Sequence, residues 1–217
     1  MALLALFSPV AAFAADRNVN LDGVQLCVPA RYLPPPPPFW VGLSEGESDN
    51  ANPQLHFRIE AEALRKAIPA YKPDTNLVRG NRLFTAKEVV VSTVSAMSGR
   101  SQAEQRIAGL VGSGEAVFES SPVPAGLIKV SHDASGFHWS LVRSSEVPKP
   151  LTTESLRNWI AAFCGKGIDE RYACHVQRIV GPLAYSVSIP DLNMENMEDI
   201  ARFIEGLLRS WSGTCDE

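Results

Sequence analysis

The chain has 217 residues, 45% of them hydrophobic and 20% charged, a balance that builds a globular core. Lysine and arginine total 20 against 24 aspartate and glutamate, and this net charge of −4 gives no electrostatic footprint for nucleic acid or an anionic membrane. No segment reaches the ~20 consecutive apolar residues of a membrane-spanning helix, so membrane insertion is not expected.

Residues 1–14 read as an export signal. Leu3, Leu4, Leu6, Phe7 and Val10 form a short apolar run, and Ala12-Phe13-Ala14 fits the small-x-small rule for cleavage before Ala15. The run carries no Lys or Arg after Met1, the one departure from such a leader. The remaining residues, 15–217, are expected to form a single α+β domain; if two subdomains exist, they divide near 120–150. Export places the protein in the periplasm.

Val24 to Pro29 is the first expected strand and holds Cys27. Pro34 to Pro38 is a stiff polyproline II connector. Phe39 and Trp40 follow it; a satellite core is their expected home, although of the aromatic residues their position after the prolines exposes them most. Ser44 to Pro53, with Glu45, Glu47 and Asp49, is a polar acidic loop. Leu55, Phe57 and Ile59 alternate as a strand. A short helix is expected over Glu60 to Ile68, turns over Tyr71 to Arg82, and a strand over Leu83 to Ser95 around the β-branched Val89-Val90-Val91.

Ser101 and Glu104 have capping-box spacing. They precede a helical face of Ala103, Ile107, Leu110 and Val111. Glu115 to Glu119 is a short strand, and Leu127 to Ser131 with Phe137 to Arg143 forms a hairpin. Thr153 to Cys164 is expected to be one helix with a core stripe of Leu156, Trp159, Ile160 and Phe163, stopped by Gly165.

The last quarter is the most regular. Tyr172, Cys174 and Val176 alternate with Ala173, His175 and Gln177; Gly181-Pro182 breaks the run; Leu183, Tyr185, Val187 and Ile189 share a face of the next strand. From Asn193 the period changes: Met197, Ile200, Ala201, Ile204, Leu207, Leu208 and Trp211 recur at helical spacing. Asn193 or Asp191 is expected to cap this helix. Many short strands with about three helices, without strict βαβ alternation, define α+β with a mainly antiparallel sheet ending in a ββα unit.

Four cysteines, Cys27, Cys164, Cys174 and Cys215, suggest two disulfides in an oxidising compartment. Laying the last helix on the hairpin returns Cys215 towards Cys174, so the expected pairs are Cys174–Cys215 and, by elimination, Cys27–Cys164. A metal site lacks its spacing: no C-x-x-C occurs, and His175 points away from Cys174 on a strand. No nucleophile elbow, phosphate loop, dinucleotide fingerprint, H-E-x-x-H or calcium loop is present. His56, His138 and His175 lie in strands opposite their apolar neighbours and read as solvent-facing. Met194 and Met197 read as packing at the helix start. No catalytic residue, cofactor or metal is named.

The order Cys174, hairpin with Leu183-Ala184-Tyr185-Ser186-Val187, helix, then Leu207-Leu208-Arg209-Ser210-Trp211 resembles the C-terminal part of periplasmic immunity proteins of bacterial type VI secretion effectors, those paired with lipases. Cys27-Val28-Pro29-Ala30-Arg31-Tyr32 is a second match; Met197 stands where the family has a Trp. The resemblance implies a protein without catalysis that binds a toxic effector and blocks it. Glu45, Glu47, Asp49 and Trp40 are the candidate contacts for that partner. The alternative is a periplasmic binding or assembly protein of another role, and more distantly a small hydrolase using His138 or His175.

Overall fold

The computed structural model describes residues 15–34, 53–73, 75–78, 81–84, 86–97, 102–119, 124, 126–132, 136–167 and 171–215. Twelve strands and four α-helices occur among them. The strands are β1 (Arg17–Leu21), β2 (Val24–Val28), β3 (Leu55–Ile59), β4 (Thr75–Val78), β5 (Asn81–Phe84) and β6 (Lys87–Thr93). They continue with β7 (Val117–Glu119), β8 (Ile128–Ser131), β9 (His138–Val142), β10 (Ile160–Lys166), β11 (Tyr172–Val180) and β12 (Leu183–Pro190). The helices are α1 (Ala61–Ala67), α2 (Gln102–Ser113), α3 (Thr153–Trp159) and α4 (Met197–Ser210).

Eight strands form one antiparallel sheet in the order β3-β6-β12-β11-β10-β9-β8-β7, and two hairpins, β1-β2 and β4-β5, stand outside it. The chain is therefore α+β with a mainly antiparallel sheet, as its patterning indicates. At the centre, Gly181 takes φ +58° and lets β11 fold onto β12. The resulting register puts Val176 opposite Val187 and Cys174 opposite Ile189.

One face of the sheet carries the main core. Phe57, Ile59, Val89, Val91, Val176, Tyr185, Val187 and Ile189 are all buried there. The α4 stripe of Met197, Ile200, Ala201, Ile204 and Leu208 is buried in the same cluster. Each large apolar side chain buried this way contributes roughly 1.5–3 kcal/mol. Tyr185 anchors the layer by donating its hydroxyl to the Ala201 carbonyl at 3.3 Å. Beyond α4, Trp211 stacks between Tyr32 and Phe57, each with ring centroids 4.9 Å from its own.

The β1-β2 hairpin closes this end of the core. Asp22 and Gly23 both have positive φ, +47° and +89°, the conformation a two-residue hairpin turn demands and Asp-Gly tolerates. Its β2 strand receives the chain end: the Cys27 N–H donates to the Trp211 carbonyl at 2.7 Å, and the Gly213 N–H to the Gln25 carbonyl at 3.0 Å.

This placement corrects the expected cysteine pairing. The bonds are Cys27–Cys215 and Cys164–Cys174. All four cysteines are oxidised, but α4 delivers Cys215 to β2 and not to β11. Cys174 instead faces Cys164 directly across β10-β11. The same segment corrects the expected helix over 153–164. Thr152 and Ser155 form a reciprocal capping box that starts α3, yet the helix ends at Trp159. Ile160 to Lys166 then runs as a central strand, because pairing on both sides and the disulfide outweigh the helical preference of Ala161 and Ala162.

Asn193 and Asp191 do not cap α4 as expected. Residues Asp191–Asn196 form a 3-10 turn ahead of it. Asn193 is fully buried and its side-chain amide holds the Lys72 backbone, accepting from N at 2.8 Å and donating to O at 2.7 Å. Met194 and Met197 are buried at this helix start, as their pattern suggests.

The other face of the sheet is covered over only part of its width. There α2 and α3 bury Ile107, Leu156 and Trp159 against Val130, Val142 and Ile160. The Trp159 indole N–H donates to the Ser144 carbonyl at 2.8 Å and fixes the ring.

Candidate binding site

Among the described residues, no helix lies across the middle of the half of that second face built from β11, β12, β6 and β3. Alternation sends His175, Gln177 and Ile179 of β11 outwards, with Ser186 and Ser188 beside them on β12 and Val90, Glu88, His56 and Arg58 further along. His175, Ser188, Glu88, His56 and Arg58 are exposed, and Ile179, a large aliphatic side chain, is 47% exposed. His56 and Glu88 form an exposed pair at 3.5 Å. The three strand histidines, His56, His138 and His175, are exposed, as the alternation of their strands indicates.

A break in the sheet borders this face. β11 runs from Tyr172 to Val180, but β10 pairs with it only from Phe163–His175 to Lys166–Tyr172. Between Ile160 and Ala162 the register of β10 against β9 shifts, which marks a bulge. Bulges bend a strand and interrupt its ladder. Here β10 follows β9 and leaves β11, opening a V-shaped cleft of about 230 Å³. Ala161 and Ala162 floor it, Phe163 and Ile160 form one wall, and Gln177, Arg178 and Ile179 the other.

The mouth of the cleft is charged. Arg178 donates to Glu198 at 2.5 Å, and Arg143 approaches the same carboxylate oxygen at 3.5 Å. Two guanidiniums thus share one carboxylate. Arg143 also donates from Nε to the Asn158 carbonyl at 3.2 Å, which fixes it over the opening. Deeper in, the Arg157 Nε donates to Glu104 at 3.1 Å, and Glu104 is only 2% exposed. Glu104 therefore ties α2 to α3 in addition to any role at the α2 start; Ser101, its expected capping partner, lies outside the described residues. His175 is exposed as a residue, but its ring lies partly within the cleft, and that partial burial lowers its pKa below the ordinary histidine value.

A second depression continues along β10-β11 past Phe163 and His175, which line both. Its floor is Gly165 and Ala173. The His138 ring covers Gly165 so closely that a Cβ there would lie 3.3 Å from the imidazole Cδ2. Among the described residues no cluster of three or more His, Cys, Asp or Glu is arranged to hold a metal ion.

Of the residues singled out from sequence, Trp40, Glu45, Glu47 and Asp49 lie outside the described residues. The cysteines staple the scaffold. Arg143, Arg178, Glu198 and the free flank of β11 were not singled out. The available signal is Ile179, a large aliphatic residue on the same side of the alternating strand as His175 and Gln177.

The architecture is thus an eight-stranded antiparallel sheet with two separate hairpins, its main core on one face and, among the described residues, only partial helical cover on the other. No protein-family model matches the chain, and no curated protein matches its sequence. A solved structure does match: an immunity protein of the Stenotrophomonas maltophilia type IV secretion system, with a TM-score of 0.50 at 12% identity, over 92% of this chain and 94% of that one. The likeness at this identity is one of fold.

Proposed function

We propose that the chain is an immunity protein that binds a secreted bacterial toxin and inhibits it without catalysis of its own. The observation that carries this reading is the shared fold with a secretion-system immunity protein over nearly the whole of both chains. The resemblance of the Cys174-to-Trp211 segment to immunity proteins of type VI lipase effectors supports the same role independently. It favours a phospholipase-like target. The structural neighbour belongs to a type IV system, and an immunity role is what the two share.

A periplasmic site of action is supported by the apolar 1–14 leader and by two disulfides, which persist in oxidising compartments. The acidic loop with Glu45, Glu47 and Asp49, together with Trp40, is a candidate contact. Opposite charge on the toxin would speed association and reject wrong partners.

Co-expression in the periplasm with the toxin encoded beside this gene tests the reading. The protein should restore growth and co-purify with the toxin. Failure to bind or protect would replace the inhibitor reading with that of a periplasmic binding or assembly protein of another role. Replacing Glu45, Glu47 and Asp49 together by Lys should weaken the complex and leave the melting temperature unchanged; unaltered binding would discard the loop alone.

A further inference from the structure

The cleft beside β11 contains an unused strand edge. Backbone groups on an antiparallel strand point alternately to its two neighbours. The Gly167 N–H donates to the Arg171 carbonyl at 2.6 Å, and the Lys166 N–H donates the other way, to Phe137 of the strand beyond, at 2.9 Å. Odd-numbered residues of β10 and β11 therefore bond to each other. The Cys164–Cys174 pair, with Cα atoms 4.0 Å apart, is the narrow, non-hydrogen-bonded kind that fits this parity. His175 is the last residue of β11 to meet β10. Continuing the alternation, the N–H and C=O of Gln177 and Ile179 point into the cleft, and among the described residues no strand pairs with them there.

We propose that this edge is where the toxin docks, by adding an extended segment of its own to β11 at Gln177–Ile179; the proposal rests on the immunity reading. Strand addition takes affinity from main-chain hydrogen bonds and specificity from alternate side chains. An added strand would send one side chain to the apolar wall of Phe163 and exposed Ile179. The next would meet Arg143 and Arg178 beside the Glu198 and Glu205 carboxylates; the Arg178 Nε is buried and, among the described residues, makes no hydrogen bond. The occupant is therefore an extended segment alternating an apolar residue with an Asp or Glu. The bulge keeps β10 from closing the gap, and the disulfide just beyond His175 keeps the two strands from parting further.

Residue-resolved amide exchange by NMR on the unaltered protein tests this. In the free protein the Gln177 and Ile179 amides should exchange rapidly, while those of Val176 and Arg178, directed at β12, are protected. Slow exchange at 177 and 179 in the free protein overturns the proposal. Adding the toxin encoded beside the gene should slow these two amides at least tenfold. A complex in which they still exchange freely overturns the docking edge and leaves the immunity reading intact. No complex at all overturns the immunity reading and the edge with it. Protection that appears without toxin, as protein concentration rises, would assign the edge to a second copy of the chain and overturn the partner proposed. Arg143→Gln should weaken toxin binding about tenfold and flatten its salt dependence, and Ile179→Asp should weaken it at least as much, both with melting temperatures near the parent's. Unchanged affinity in both variants overturns the proposal.

Discussion

Tyr185 joins the sheet to α4 through a single hydroxyl, and its burial raises the phenol pKa well above the ordinary value, aided by the Glu205 carboxylate. The sign of the consequence is fixed. In the unfolded chain the phenol loses its proton near pH 10, whereas the folded protein retains it. Above about pH 10 the unfolded state is therefore favoured, and stability falls as pH rises. Tyr172, whose pKa is raised by burial and then by Asp191, adds to the same loss. Urea titrations at pH 8 and above pH 10 should show this decline, and Tyr185→Phe should flatten most of it. At pH 8 that variant should lose only about 1 kcal/mol, the usual worth of one hydrogen bond. Glu104 behaves differently. It is buried against Arg157, and Glu104→Ala would remove the buried carboxylate to which this guanidinium donates. Chemical denaturation should show a loss of roughly 3–5 kcal/mol, far beyond that of a surface pair.

Among the elements, the two disulfides differ most in the length of chain they close. Cys27–Cys215 spans 188 residues and Cys164–Cys174 spans 10. In the chain-entropy view the first is worth about 5 kcal/mol and the second about 3. Replacing each pair by Ala should rank the losses in that order in urea melts; the reverse order would locate the stabilisation in native packing around the β10-β11 bond. The two bonds also show where local pattern stops informing. The β11-β12-α4 unit was readable because alternation, the Gly181-Pro182 break and the change to helical spacing agree with one another. β10 was not readable, since Ile-Ala-Ala-Phe continues the apolar spacing of α3 and only its neighbours on both sides make it a strand. With β10 taken as helix, Cys164 lost its place opposite Cys174 and both pairings went astray. β1 had a legible marker in Asp22-Gly23, a strong hairpin dipeptide, but its strand Arg-Asn-Val-Asn-Leu offers only two apolar residues.

For the whole molecule, the arrangement is asymmetric by face. Cover by α4, α1 and the β1-β2 hairpin makes one side of the sheet the source of stability, whereas among the described residues α2 and α3 cover only part of the other. Substitutions should segregate accordingly. Ile204→Ala, in the α4 stripe, should cost about 2–5 kcal/mol by calorimetry or urea melts. Ser186→Ala or Ser188→Ala on the bare side should stay within ~0.5 kcal/mol. The class of fold was legible from sequence because it depends on element type and order. The site was not, because it arises from a strand that diverges from its neighbour, and divergence is a relation between segments that no single segment records.

The cysteine spacing also imposes an order on maturation. As the chain emerges from a ribosome or a translocation pore, Cys27 appears long before Cys215, and through that interval Cys164 and Cys174 are its only available, and wrong, companions. The ten-residue loop between those two closes on itself in far less time than any contact across the chain. Once a bond forms there, Cys27 and Cys215 are each left with a single choice. A short bond formed first thus takes both wrong partners away from the long one, whose closure waits on the arrival of Cys215.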